Sequence, residues 1–406
     1  MLRSLVVDFN SYFASVEQQF QPRLRQRPVV VVPVLTDSTC CIAASTEAKV
    51  FGITTGTPVY EAKKLCPRLH VIEARPALYI RTHHRLVAAV ESCLPVDRVM
   101  SIDEMHGALT GPWQDPGRAQ ALAHQIKQTI AQTVGSWLRC SIGIAPNLFL
   151  AKTASDLQKP DGLVIIETHQ LPHALHSLQL RDLCGIGRNM EQRLHRYGIC
   201  TVAQLCSASA RDLRQAWGSV EGERMYRRLR GGLVPELPTQ KSVVSHSHVL
   251  PPPQRNETEA HAVLHRLLQK AAARLRRMEY LAGALQLSLF SREQNGWSDE
   301  LHFGETSNSL EFVRLLDQLW KRRPSPLPSP HQVGVSLFGL VPAGAHTPSL
   351  FYERPFDPRL DRAIDLLNES FGKNTVFFGG SFEARASAPL RIAFHHIPEL
   401  INSEMD

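Results

Sequence analysis

No two of the eight cysteines stand in a Cys-x-x-Cys spacing; they occur singly or, at Cys40 and Cys41, side by side. Neither a cysteine zinc site nor a disulfide framework is indicated, and buried thiols in a reducing cytoplasm are the simpler reading. No apolar run approaches the ~20 residues that a membrane-spanning helix needs. The opening Met1-Leu2-Arg3-Ser4 leads into a short strand ending at Asp8, too brief and too soon charged for a signal peptide. A cytoplasmic protein with no membrane partner is expected. Solenoid repeats and long low-complexity tracts are also missing. What remains is an ordinary globular balance, 43% hydrophobic and 20% charged over 406 residues, enough for two to four domains. The net charge of +7 favours a polyanionic partner such as nucleic acid, a modest signal on its own.

Along the chain, Ser4-Leu5-Val6-Val7-Asp8-Phe9 reads as a buried strand. Phe13, Val16 and Phe20 then recur at helical spacing, with Asn10 or Ser11 as cap. Short strands are predicted over 28–34 and 38–44, and helices near 60–66, 78–93 and 116–134. A strand pair falls around 97–110, a strand at 140–144, a helix over 147–158 and a strand at 163–166. That alternation predicts an α/β assembly. Residues 167–230 turn helical and arginine-rich, and Gly231, Gly232, Pro235 and Pro238 mark a linker. Beyond it, strand 241–249, helix 257–278, strands 282–291 and 297–304, helix 309–322 and strand 331–340 form a βαββαβ order: four strands with two helices on one face. A helix at 359–371 lies in the remainder.

Asp8 ends a buried strand just before a helix N-terminus, where a carboxylate and free backbone amides collect at one point. Alone, it reads equally as a helix cap. Asp103-Glu104 sits among Val99, Met100, Ile102 and Met105, and adjacent carboxylates in apolar surroundings need a positive neighbour. An isolated pair of this kind also fits a surface hairpin. Three carboxylates converging from two strands would suit two divalent ions about 3.5–4 Å apart, and oxygen-only ligands favour magnesium or manganese.

The segment Asp8-Phe9-Asn10-Ser11-Tyr12-Phe13-Ala14-Ser15-Val16-Glu17 resembles the first palm motif of the Y-family DNA polymerases, the DinB/UmuC type. Ser101-Ile102-Asp103-Glu104 with Leu109-Thr110-Gly111 is similar to their second, and Ser141 through Asn147, Ala151-Lys152, Asp156 and Lys159-Pro160-Asp161-Gly162 to their third. The resemblance implies a right-hand polymerase: palm at 1–19 and 76–166, fingers at 20–75, a helical thumb with a helix-hairpin-helix at 167–233, a linker at 234–240, a little finger at 241–342 and an extension at 343–406. It implies Asp8, Asp103, Glu104 and the Phe9 carbonyl as ligands of two Mg2+ ions, Mn2+ being the alternative, with Asp103 and Glu104 as catalytic residues. Tyr12, Phe13, Thr46, Lys49 and Lys159 fall at nucleotide-binding positions, Phe13 at the steric gate against a ribose 2′-hydroxyl. Thr46 and Lys49 depart from the tyrosine and arginine of many members, and a lysine keeps the charge without the bidentate fork. Met105-His106-Gly107 also departs from the usual pattern and is expected to loosen the palm strand.

Leu183-Cys184-Gly185-Ile186-Gly187 resembles a helix-hairpin-helix turn, whose amides bind a DNA phosphate without reading sequence. A plain helical hairpin is the alternative, weakened by Arg181, Arg188, Arg193 and Arg196 around it. Gly185, Gly187, Arg188 and Lys241 are therefore the candidate DNA contacts. Arg274, Arg276 and Arg277 fit either DNA or a solvated face. Two peptides resemble a sliding-clamp ligand. Gln286-Leu287-Ser288-Leu289-Phe290 falls inside a predicted strand and reads as core; Pro348-Ser349-Leu350-Phe351 is preferred as the clamp contact. The implied function is low-fidelity, template-directed DNA synthesis on primer–template DNA with deoxynucleoside triphosphates, in translesion synthesis. Its rival is a non-catalytic, polymerase-fold damage factor that binds DNA and the replication machinery.

Overall fold

Six residues with no break in burial form β1 (Ser4–Phe9), a strand flanked on both edges and covered on both faces. The computed structural model describes residues 1–235, 241–291, 296–324, 329–347, 358–372, 374–385, 387 and 397. Two compact units divide the chain. In the first, β1 is followed by α1 (Tyr12–Phe20), β2 (Val29–Val32), β3 (Ala43–Ala44), α2 (Thr46–Lys49), α3 (Val59–Leu65) and β4 (His70–Glu73). Then come α4 (Pro76–Glu91), β5 (Arg98–Ser101), β6 (Glu104–Ala108), α5 (Pro116–Thr133), β7 (Cys140–Ala145), α6 (Leu148–Leu157) and β8 (Leu163–Ile165). Four further helices close the unit: α7 (Arg188–Arg196), α8 (Val202–Ser207), α9 (Ala210–Trp217) and α10 (Glu221–Arg228).

The main sheet runs β5-β6-β1-β7-β8, with β1 antiparallel to both neighbours. Alternation along β1 sorts its side chains. Leu5, Val7 and Phe9 join a core with Leu86 of α4 and Leu122, Ile126 and Ile130 of α5. Val6 faces the other way, into a cluster with Leu150, Ala151 and Ala154 of α6. Asp8, two residues on, therefore shares the α6 side. The same cluster takes in Leu194, Leu213 and Met225 of the arginine-rich helices, and Asn147 donates to the carbonyls of Arg228 and Gly232 at 2.9 and 3.0 Å.

A smaller sheet runs β3-β2-β4, with β2 parallel to β4. The strand expected over 38–44 is reduced to Ala43–Ala44. Upstream, the Thr36 hydroxyl bonds the Ser38 amide and the Thr39 amide donates to the Thr36 carbonyl, a local turn that competes with a ladder. β4 was not expected at all: His-Val-Ile-Glu is short and only half-buried, so it carries no clear hydrophobic period.

The second unit contains β9 (Val243–Val249), α11 (Glu257–Arg277), β10 (Tyr280–Phe290), β11 (Trp297–Thr306), α12 (Ser309–Arg322) and β12 (Gln332–Pro342). This is the βαββαβ order read from the sequence, folded into an antiparallel sheet β11-β10-β12-β9. Leu264, Leu267 and Leu268 of α11 and Phe312 and Leu316 of α12 pack on Leu285, Leu287, Val333 and Val335. Leu287 and Leu289 of the first clamp-like peptide are thus core, as expected. The second, Pro348–Phe351, lies outside the described residues. Beyond it α13 (Pro358–Ser370) docks on the same unit. Arg276 grips Asp365 through Nε and Nη2 at 2.6 and 2.7 Å, and Asn308 donates to Asp361 at 2.7 Å. Arg276 is therefore a clasp rather than a solvated or DNA-facing charge.

Gly143 lies beneath α6. A Cβ there would fall 2.0 Å from the Ala151 carbonyl oxygen and 2.3 Å from the Ser155 nitrogen, so helix and strand touch backbone to backbone. Gly143→Ala should therefore destabilise the first unit by about 1–3 kcal/mol. Urea denaturation measures it, and an unchanged midpoint would mean that α6 lifts freely from β7.

Candidate active site

Strand register does the first work at the site. Asp8 on β1 stands opposite Glu104 on β6 and Ser141 on β7, while the Phe9 amide donates to the Asp103 carbonyl at 2.8 Å. Lys152, from the turn of α6 above Gly143, reaches between the strands. Its Nζ lies 2.6 Å from Asp8 Oδ2 and 2.7 Å from Glu104 Oε1. Lys159 takes the other Asp8 oxygen at 2.8 Å, and Asp156 pairs with both lysines at 3.2 and 2.8 Å. The Ser101 hydroxyl donates to Asp103 at 2.6 Å.

Electrostatics follow from burial. Asp103 is pushed above the usual carboxylate range, first by desolvation and further by the Asp8 charge, with the Ser101 hydroxyl opposing. Glu104 is raised by desolvation too, against the pull of Lys152. Burial disfavours the charged forms of Lys152 and Lys159, but Asp8 and its acidic neighbours outweigh it and raise both. An ammonium thus bridges two carboxylates at the spot where a cation is most strongly drawn. The donors are all oxygen, the set that suits hard divalent ions. By that test Asp8, Asp103 and Glu104 fit a metal.

Helices α1 and α4 bring an aromatic pair together. Phe13 stacks on Tyr79 with ring centroids 4.6 Å apart and planes at 25°. Tyr79 donates its hydroxyl to Glu17 at 2.7 Å, and Arg75 Nε donates to the same oxygen at 3.0 Å. The Glu17 side chain is wholly buried. Tyr12 has its hydroxyl committed to the Tyr79 carbonyl at 2.6 Å, so only its backbone faces the start of α1. That start has no side-chain cap. Ser11 occupies the cap position at φ 49° without a capping bond, and Asn10 turns instead to the Ser141 hydroxyl and the Asp161 amide at 3.1 and 2.8 Å. The expected cap is therefore absent, and Asn10 anchors the turn that carries Lys159. Thr46 and Lys49 lie exposed on α2. The Lys49 pKa is lowered, first by partial desolvation and then by Lys159, while Asp8 works the other way. Lys49 thus lies within electrostatic reach of both Lys159, which repels it, and Asp8, which attracts it.

The departure at 105–107 does not loosen the strand. β6 pairs with β1 over its whole length, and a Cβ on Gly107 would meet Leu94 Cδ2 and the Pro95 carbonyl at 2.7 and 2.8 Å. Glycine is there because the preceding loop packs against it. His106 is tucked in, its Nε2 buried without a hydrogen-bond partner. Sequence reasoning assigned no role to Lys152 or Asp156; the readable signal was the spacing of Lys152, Asp156 and Lys159 by four and three. Elsewhere in this unit Gly185, at φ +85°, and Gly187, preceding α7, are exposed beside Arg188, with open space where a Cβ would stand on either glycine. Lys241 is exposed just before β9, in the second unit.

The impB/mucB/samB family model matches residues 7–156 and that family's C-terminal-domain model matches residues 241–350. A model described as the DNA polymerase-iota thumb domain matches residues 181–232. A DNA polymerase IV of Moorella thermoacetica is 35% identical over 92% of this chain and 94% of its own length. A DNA polymerase IV of Pelotomaculum thermopropionicum is 31% identical over 92% and 93%. Among solved structures, the Y-family DNA polymerase chimera of Dbh and Dpo4 superposes with a TM-score of 0.69 at 21% identity, covering 84% of this chain and 99% of that one. This last likeness shows the shared right-hand fold. The chain belongs to the impB/mucB/samB family, the Y-family DNA polymerases of the DinB type.

If the Lys152 ammonium stands where a cation goes, Lys152→Ala should cost the metal-free protein about 3 kcal/mol, as for a broken buried ion pair. Added divalent metal should then raise the melting temperature of the variant more than that of the parent chain. Equal shifts would show that the ammonium and the metal do not share a place.

Proposed function

We propose that this translesion-type, DNA-directed DNA polymerase joins nucleotides to a primer at Asp8, Asp103 and Glu104, using magnesium. The observation that carries the reading is Lys152 bridging Asp8 and Glu104 at 2.6 and 2.7 Å: two carboxylates from paired strands already share one positive charge. The same three residues and the Phe9 carbonyl would hold two Mg2+ ions, which when bound activate the primer 3′-hydroxyl and neutralise the triphosphate. Lys159, pinned through Asn10 and Asp161, and Lys49 bind triphosphate oxygens, helped by the backbone amides of Ser11 and Tyr12 at the start of α1. Tyr12 contributes its backbone there, and Thr46 lies beside Lys49 on α2. Phe13 excludes a 2′-hydroxyl, because the stacked Tyr79 prevents the ring from retreating.

On this reading residues 1–19 and 76–166 serve as palm, 20–75 as fingers, 167–233 as thumb and 241–342 as little finger. The amides near Gly185 and Gly187 with Arg188, and Lys241 from the second unit, hold the phosphate backbone of primer–template DNA without reading bases. Pro348, Ser349, Leu350 and Phe351 are proposed as the sliding-clamp contact on their sequence alone, and the cytoplasm as the place of action. A non-catalytic damage factor is not favoured: all three carboxylates are present, and the relatives compared are polymerases by name.

Asp103→Ala and Glu104→Ala should each lower primer extension about a thousandfold or more while DNA binding survives, because these groups face metal rather than DNA. Extension at the parent rate by either variant would remove the two-metal assignment. Phe13→Ala should raise ribonucleotide incorporation about tenfold or more relative to deoxynucleotides. Steady-state insertion kinetics decide it, and unchanged sugar discrimination would take Phe13 out of the gate.

A further inference from the structure

Far along the sequence from the carboxylates, the second unit brings together a set of groups that polymerisation does not use. His261 and His265 stand one helical turn apart on α11, with ring centroids 4.6 Å apart, as residues four apart on one face must. Both aim Nε2 at a single atom of the neighbouring helix. Asp317 Oδ1 on α12 lies 3.1 Å from His261 Nε2 and 3.2 Å from His265 Nε2. Among the described residues this is the one group of three histidine, cysteine or acidic side chains whose ligand atoms all lie within 4.8 Å of one another.

We propose that His261, His265 and Asp317 form a zinc-type divalent metal site that clasps α11 to α12. The geometry suits it. Ligands about 2.0–2.1 Å from a tetrahedral zinc are about 3.3 Å apart, close to the two separations here. Two imidazoles are borderline donors that suit zinc, copper or nickel better than magnesium, and a carboxylate beside them completes a common zinc donor set. Burial, ahead of the surrounding charges, lowers the pKa of both histidines, so neutral rings with a free lone pair prevail at neutral pH. His265 is buried, whereas the His261 and Asp317 side chains are 29% and 42% exposed, which leaves an entry path and a fourth position for water. Arg323, the nearby cation, is turned onto the Trp320 ring at 4.2 Å and paired with Glu257. Hydrogen bonding alone would have both imidazoles share one carboxylate oxygen.

Trp320 provides the reporter, since it stacks on His261 with centroids 4.7 Å apart and planes at 25°. The full chain, with its carboxylate centre saturated by Mg2+, is titrated with Zn2+ and, in parallel, with Co2+ and Cu2+. One equivalent of Zn2+ should bind, Co2+ should give the ligand-field bands of a four-coordinate ion, and Cu2+ should quench emission that is missing from Trp320→Phe. Asp317→Asn, which keeps the side-chain volume, and His261→Ala should each weaken binding about tenfold or more. Asp8→Asn should leave it intact, and Asp317→Asn should extend primers in Mg2+ as the parent does. No binding, binding unchanged in Asp317→Asn, or binding lost in Asp8→Asn would overturn the site and leave a hydrogen-bonded cluster in its place.

Discussion

A carboxylate taken out of water must find a compensating charge, and the first unit gathers three, Asp8 and Glu104 on neighbouring strands and Asp103 in the turn before β6. The ion pairs of Lys152 with Asp8 and Glu104 meet that demand, and much else is arranged around them. α6 rests directly on β7 because residue 143 has no side chain to hold it off. The helix thereby brings Lys152 over β1, with Asp156 one turn later and Lys159 just past its end. Asn10, Ser141 and the amides of Asp161 and Gly162 then lock the turn that follows. A sheet that buried only apolar side chains would need none of this.

Much of the architecture could be read before any coordinates. β1, α5, α12 and the whole βαββαβ order carry strong periods or clear caps, and their bounds fall within a residue or two of expectation. The failures have local causes. Ser38 to Ile42 hold strand-forming residues, but Thr36 takes the amides of Ser38 and Thr39 on its hydroxyl and carbonyl and turns the chain. His70–Glu73 becomes a strand only because β2 offers it an edge, a tertiary fact with no signature in four half-buried residues.

The candidate site divides in the same way. Asp8, Asp103 and Glu104 were identifiable because motif order and charge in an apolar setting agree. The lysine that joins Asp8 and Glu104 carries no sign of its task in the motif, since which carboxylate an ammonium reaches depends on how a helix sits on a sheet. Tyr12 shows the reverse: its position in the motif suggested a nucleotide contact, yet the hydroxyl is spent on Tyr79. Gly107 looked like a defect and proves to be the fit of a strand against the Leu94–Pro95 loop.

Glu17 has one consequence beyond its own bonds. Its side chain has no exposure to solvent and is held by Tyr79 and Arg75, and Tyr79 is the wall behind Phe13. On the proposed reading, the enzyme's choice of sugar rests on a buried ionic anchor rather than on the gate ring alone. Softening the wall to admit larger sugars would strand that anchor and charge the fold for the change.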